Sequence, residues 1–259
     1  MNANKKILNN LYSFLFFLLL VIIWEIISKT KLVPPQILPA PSTIIYSLFV
    51  NFTKMWGHIL VTLYETVLGF AIAIFFGIII AIIMDSVPLI NKIVYPLLII
   101  SQTIPIITIA PLFIIWFGYG YLPKIVIVIL ICFFPISISL LQGLNSVDIE
   151  LIKLLKSMGA KKYEIYKFVK FPASMPNLFS GLKIAATYSI MGATIGEWVG
   201  GSSGIGVYML RAKFSFATDK VFGAIIIITI LSILLLKLIE LIEKRLMPWV
   251  IYNKNEIIS

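Results

Sequence analysis

Residues Asp148 to Pro176 read DIELIKLLKSMGAKKYEIYKFVKFPASMP, the one long polar stretch in a chain of apolar runs. It carries Lys153, Lys156, Lys161, Lys162, Lys167 and Lys170. Flanked on both sides by lipid-like sequence, it belongs in water between two membrane spans. Val147, Leu151, Leu154, Leu155 and Met158 recur at steps of three and four, which predicts one apolar face of a helix. Glu150, Lys153, Lys156 and Ser157 fall on the other side. Gly159 interrupts the pattern where a helix C-terminus needs a left-handed residue. A second short helix is expected from Lys161 to about Phe168, stopped by Phe171-Pro172, because the residue before proline is pushed out of the helical region. Helix, glycine, helix, proline makes a compact docking unit. Its Leu/Met face requires cover from the chain's own helices or from a partner.

The 259 residues are 60% hydrophobic with a mean hydropathy of +1.05. Soluble domains are roughly half apolar, so a polytopic, all-α membrane protein is the expected class. The net charge of +10 does not point to nucleic acid, because no basic stripe with interleaved aromatics sits on a soluble domain. Lysines concentrated in loops between spans follow the positive-inside rule instead. Cys132, the single cysteine, lies in an apolar run and is expected to pack as a small hydrophobe. His58, the single histidine, lacks partners for a metal site and is expected at a surface or interface.

Six spans are predicted, with both termini on the inner side. The first runs from about Leu8 to Ile27; no small-residue cleavage pattern follows it, so it reads as an uncleaved anchor. Glu25 lies near its outer end, within reach of headgroups. A proline-rich outer loop leads to Ser42, which can N-cap a helix from Thr43 to about Thr53 lying along the membrane surface. The second span covers about Ile59 to Ile83. Gly69, Ala73, Gly77 and Ala81 recur every four residues, a spacing that lets another helix approach closely in lipid. Glu65 within it either faces protein or a water-filled space, or reaches outward from the interface. Asp85 to Pro88 is a short inner turn.

The third span, about Lys92 to Phe117, holds Pro96, Pro105 and Pro111. Prolines free backbone carbonyls, which lipid tolerates only where they are buried in protein or line a cavity. Ser101, Gln102, Thr103 and Thr108 are therefore candidates for a translocation path; alternatively the hydroxyls bond back to their own helix and the kinks are architectural. Gly118 to Tyr121 is the outer turn. The fourth span covers about Pro123 to Leu141. The fifth opens at Pro176 and reaches about Val199, with Gly181, Ala185, Ser189 and Ala193 as a second close-packing ridge, expected at the pore or at a two-fold interface. Tyr188 is a further path candidate. Glu197 at its end contacts either substrate or a docked protein, or makes a structural hydrogen bond. Gly200 to Gly206 reads as flexible and lacks the Lys-Ser/Thr of a phosphate loop. Lys183 is a second intramembrane charge that can snorkel. The sixth span, about Val221 to Ile242, ends in Glu243-Lys244-Arg245.

Glu150-Leu151-Ile152, Ser157-Met158-Gly159-Ala160, Phe171-Pro172-Ala173, Pro176 and Ser180-Gly181-Leu182 together resemble the cytoplasmic signature loop of ABC importer permeases. The resemblance extends over roughly 38–249 and is nearest the branch that imports nitrate, sulfonates, taurine and pyrimidine precursors of thiamine. It implies a type I ABC importer permease fold in a bacterial inner membrane. It divides the chain into 1–57 (a first helix, outer loop and interfacial helix), a transmembrane domain over 58–247 with its coupling loop at 144–176, and a cytoplasmic tail over 248–259. It further implies a second permease copy in a homodimer, a cytoplasmic ATPase dimer that holds the ATP and Mg, and an extracytoplasmic substrate-binding protein. The implied coupling residues are Glu150, Leu151, Leu154, Leu155, Met158, Gly159, Ala160 and Pro172. One departure is clear: the family's usual Glu-Ala-Ala triplet falls on Lys153-Leu154-Leu155 here. Lys183 to Ser189, Glu197 to Gly200, Tyr208 to Arg211 and Ser215 to Asp219 resemble permeases for hydroxymethylpyrimidine-type thiamine precursors.

No catalytic constellation, phosphate cradle or zinc spacing is visible in the chain, so it reads as a non-enzyme without a cofactor of its own. The rival class is a gradient-driven carrier or channel acting alone; such carriers usually show internal repeats and intramembrane charges, and no convincing repeat is found here.

Overall fold

The computed structural model describes residues 3–248, with side chains from residue 11. All regular structure among them is helical: α1 (Ala3–Lys29), α2 (Pro41–Ser86), α3 (Pro88–Gln102), α4 (Ile106–Phe117), α5 (Leu122–Asn145), α6 (Ile149–Ser157), α7 (Lys162–Ile165), a π-helical turn (Tyr166–Lys170), α8 (Phe171–Gly200), α9 (Ile205–Phe214) and α10 (Thr218–Leu246). Five segments are long and apolar enough to cross a bilayer, and α3 with α4 makes a sixth if that bent pair is one span. The tail expected from 248 onward lies, past that residue, outside the described residues.

Helix α5 is the centre. It packs most extensively against α8, and next against α2. Both neighbours present small residues to it. A Cβ on Gly69 of α2 would sit 2.7 Å from Val128, and one on Gly77 would sit 2.9 Å from Ile136. From α8, a Cβ on Gly181 would meet the Pro135 carbonyl at 2.7 Å. Ala73, Ala185 and Ser189 are fully buried between them. Both small-residue ridges are thus helix contacts within the chain. The α8 ridge expected at the pore or a two-fold interface lies against α5 instead, because α5 offers the matching surface of Val128, Ile131, Pro135 and Ser139. Cys132 packs in the same seam, its thiol donating to the Ala185 carbonyl at 3.4 Å.

A charged pair is enclosed with this packing. Lys124 Nζ lies 2.7 Å from Glu65 Oε1, and the two side chains are 3% and 0% exposed. Glu65 faces protein, one of its two predicted environments. Lys124, at the start of α5, is held in the α2–α5 seam by that carboxylate.

Three predicted boundaries move. First, no interfacial helix separates from the second span: α2 is one helix of 46 residues, about 69 Å long, and the expected division at 57/58 falls inside it. Gly57 sits in open space and Asn51 bonds back to Ser47, so nothing there ends the helix. Ser42 does not cap it either. Helix α2 starts at Pro41, and Glu25 of α1 accepts from the Ser42 backbone N–H at 3.0 Å and from its hydroxyl at 2.6 Å. That carboxylate also pairs with Lys29, so it ties α1 to α2 rather than reaching for headgroups.

Second, the third span breaks rather than kinks. Helices α3 and α4 meet at 103° across Thr103-Ile104-Pro105, since Pro105 forces its predecessor out of the helical region. Helix α3 also begins at Pro88, leaving only Val87 between it and α2. Third, Phe171-Pro172 does not stop the second loop helix. The turn before it widens to π geometry, the Phe171 N–H reaching back to the Tyr166 carbonyl. A widened turn relieves the clash of Pro172 with the carbonyl four residues earlier. Helix α8 therefore continues from the loop, and Pro176 lies inside it rather than at its start.

Two stability outcomes are expected. Gly69→Leu should overpack the α2–α5 seam and cost about 1–3 kcal/mol, lowering the melting temperature and monodispersity of detergent-extracted protein; Gly57→Ala should leave both unchanged. Lys124→Met should cost about 3–5 kcal/mol by stranding the Glu65 carboxylate. In the same thermal assay, Glu65→Leu combined with Lys124→Met should recover most of that loss.

Candidate functional site

Two regions combine exposure with built geometry: the polar loop around α6, and a cavity between α3, α4, α5 and α8. In the loop, Asp148 caps α6, its Oδ1 accepting from the Glu150 N–H at 2.8 Å. Glu150 lies in the first turn and Lys156 in the last, both signs favourable to the helix dipole. The helix ends as the sequence predicts. Gly159 has φ +85°, its N–H bonds to the Lys156 carbonyl, and the Ala160 N–H bonds to the Leu155 carbonyl at 3.0 Å. This is a Schellman ending.

No residue of α6 is buried. Leu151, Leu154 and Met158 are 42%, 56% and 75% exposed. At 100° per residue they share one outward face. Leu155, assigned to the same face, is half-buried, as is Ile152; these two lean toward the body. Exposed Ile149 was missed, because it falls outside the three-four spacing. Pro172 lies half-buried at the start of α8.

The loop's second half is anchored. Asp85, at the end of α2, holds Lys170 Nζ at 2.8 Å from each oxygen and accepts from the Tyr166 hydroxyl. Tyr166 also shares a 3.0 Å hydrogen bond with Ser86, and Lys162 donates to the Ser86 carbonyl. The sequence reads Asp85 only as a turn residue. Its partners lie some eighty positions away, and local pattern carries no trace of them.

The cavity encloses about 940 Å³. Ser101, Gln102 and Tyr188 line it, as expected; Thr103 and Thr108 are not among the lining residues. The hydroxyls of Ser101, Thr103 and Thr108 bond to carbonyls of their own helices, as the architectural reading has it. Trp198, Met191, Thr194 and Phe134 are also in the wall, and no Asp, Glu, Lys, Arg or His is among the lining residues.

Glu197 does not face this cavity. It is 1% exposed, accepting from the Thr62 hydroxyl and the Gly206 N–H, each at 2.6 Å. The structural reading of this residue is the one the geometry follows. It also explains the glycines after α8. A Cβ on Gly204, whose φ is +118°, would sit 2.1 Å from the Glu197 carboxyl carbon, and one on Gly206 would sit 2.9 Å from its oxygen. The segment, expected to be flexible, is tied to α2 at its far end: the Ile205 N–H bonds to Thr62, and the Gly204 N–H bonds to His58 Nδ1 at 3.0 Å. His58, expected at a surface or interface, is half-buried and accepts the Gly204 N–H. Lys183 pairs across to α10, its Nζ 2.6 Å from Glu243.

Comparison with known proteins accounts for this arrangement. Residues 73–251 match the model of the binding-protein-dependent transport system inner membrane component family. The formylaminopyrimidine transport permease protein ThiX of Halalkalibacterium halodurans is 36% identical over 91% of this chain and 94% of its own. The aliphatic sulfonates transport permease protein SsuC of Bacillus subtilis, itself a putative assignment, is 29% identical over 89% of this chain and 84% of its own. Among solved structures, an inward facing form of the MetNI methionine ABC transporter aligns with a TM-score of 0.60 at 18% identity, covering 77% of this chain and 97% of that one. On the family match and the likeness to ThiX, the chain belongs to the binding-protein-dependent transport system inner membrane components, as a membrane-spanning permease subunit of an ABC importer and not an enzyme.

Proposed function

We propose that this permease imports a hydroxymethylpyrimidine-type thiamine precursor, driven by a cytoplasmic ATPase dimer that grips α6. The observation that carries the coupling reading is the exposed face of Leu151, Leu154 and Met158 on a helix otherwise well capped and anchored. A helix that is locally well formed yet leaves its apolar face in water is suited to a groove on a partner. In this reading α6 lies in the cytoplasm, both termini lie on the same side, ATP and Mg reside on the partner, and a second copy completes the pathway. An extracytoplasmic binding protein delivers the solute at the opposite end, near the segment tied to Glu197.

The substrate reading is supported by the cavity wall. Tyr188, Trp198 and Phe134 offer ring faces, and Gln102 offers both donor and acceptor. An uncharged heterocycle suits such a wall. A sulfonate, the substrate class in the name of the Bacillus relative, would lose hydration there with no cation among the lining residues to replace it.

Leu154→Asp should leave the amount and melting temperature of the membrane protein unchanged, because the side chain is already exposed. It should reduce co-purification of the ATPase at least about tenfold, the equivalent of one buried leucine contact. Normal co-purification and uptake would refute the motor contact, and solute flux through the chain reconstituted alone would favour a gradient-driven carrier. Cells carrying the full transporter should take up labelled formylaminopyrimidine and not taurine, and Tyr188→Ala should lower that uptake about tenfold. The opposite preference would overturn the substrate reading alone.

A further inference from the structure

We infer that Asp85, Lys170 and Tyr166 form the joint through which movement of α6 reaches both walls of the cavity. The inference rests on α6 being the motor contact. The foot formed by α6 leads through α7 and the π-helical turn straight into α8, which carries Tyr188, Met191, Thr194 and Trp198 on one wall. The other wall carries Ser101 and Gln102 at the end of α3. Helix α3 has no direct chain connection to the foot. It is joined to α2 through Val87 alone, and Asp85 sits two residues before that link.

The carboxylate of Asp85 is 2% exposed and Lys170 is 16% exposed. Lys170 and Tyr166 both belong to the π-helical turn, and the Lys170 ammonium lies 5.2 Å from the Tyr166 ring centroid. Lys162 adds a bond to the Ser86 carbonyl from one turn earlier. The turn is therefore clamped to the α2–α3 corner by several polar contacts at once. A largely buried ion pair is geometrically stiff, because separating its members strands a charge. Pushing the foot then shifts the inner ends of α3 and α8 together. Without the joint, α8 would move and α3 would lag, and the break at Thr103-Ile104-Pro105 would not change its angle.

The test uses the full chain assembled with its ATPase. Nitroxides at Ile93→Cys on α3 and Leu238→Cys on α10, both exposed positions, report the movement of α3 against the body. Trapping with MgATP and vanadate should shift their separation in the otherwise wild-type complex. Asp85→Asn and Lys170→Met should each abolish the shift and lower uptake about tenfold or more, while the ATPase still co-purifies and hydrolyses ATP. The exchanged pair, Asp85→Lys with Lys170→Asp, should restore part of the shift, which a simple loss of folded protein would not allow. An undiminished shift in both single variants would overturn the joint. Failure of the ATPase to bind the unaltered chain would instead remove the coupling reading and the joint with it.

Discussion

The close approach of α2 and α8 to α5 governs the rest of this structure. Helices already in lipid gain little from hiding apolar surface, so their association depends on intimate contact and on polar bonds. Gly69 and Gly77 on one side, and Gly181 on the other, bring backbone or Cβ atoms of α5 to within the reach of a missing methyl group. This proximity is also what permits Lys124 and Glu65 to meet at 2.7 Å in a buried seam. Both ridges are consumed within one chain.

Around this rigid centre the irregular backbone is confined to few places. The break between α3 and α4 borders the cavity through Ile104 and Pro105. The π-helical turn borders the anchored loop. Non-helical backbone at membrane depth is tolerated where it lines a cavity or is buried in protein, and a widened helical turn often marks a site that moves or binds. The exposed foot, the clamped turn and the cavity thus lie in series along the chain and across one salt bridge.

The segment after α8 shows the opposite device. Its glycines look like slack in a one-dimensional reading. In three dimensions they make room for the Glu197 carboxylate, which accepts from Gly206 and Thr62 while His58 accepts from Gly204. A buried carboxylate with two donors is a satisfied group, and here it fastens the turn between α8 and α9 onto α2.

Periodicity and composition alone determined the all-helical membrane class, the ridges of small residues, the apolar face of α6 and its glycine ending, because each depends on residues within a few turns of one another. Local sequence could not say which helix a ridge would meet, whether Glu65 would find Lys124, or that Asp85 would reach Lys170 and Tyr166. Those contacts join residues far apart in the chain. It also misjudged Pro105 and Phe171-Pro172, two prolines of similar local signal. One breaks a span by 103° and the other is absorbed by a wider turn. Only the packed neighbours decide between these outcomes, since they settle whether the freed carbonyls and the displaced backbone have somewhere to go.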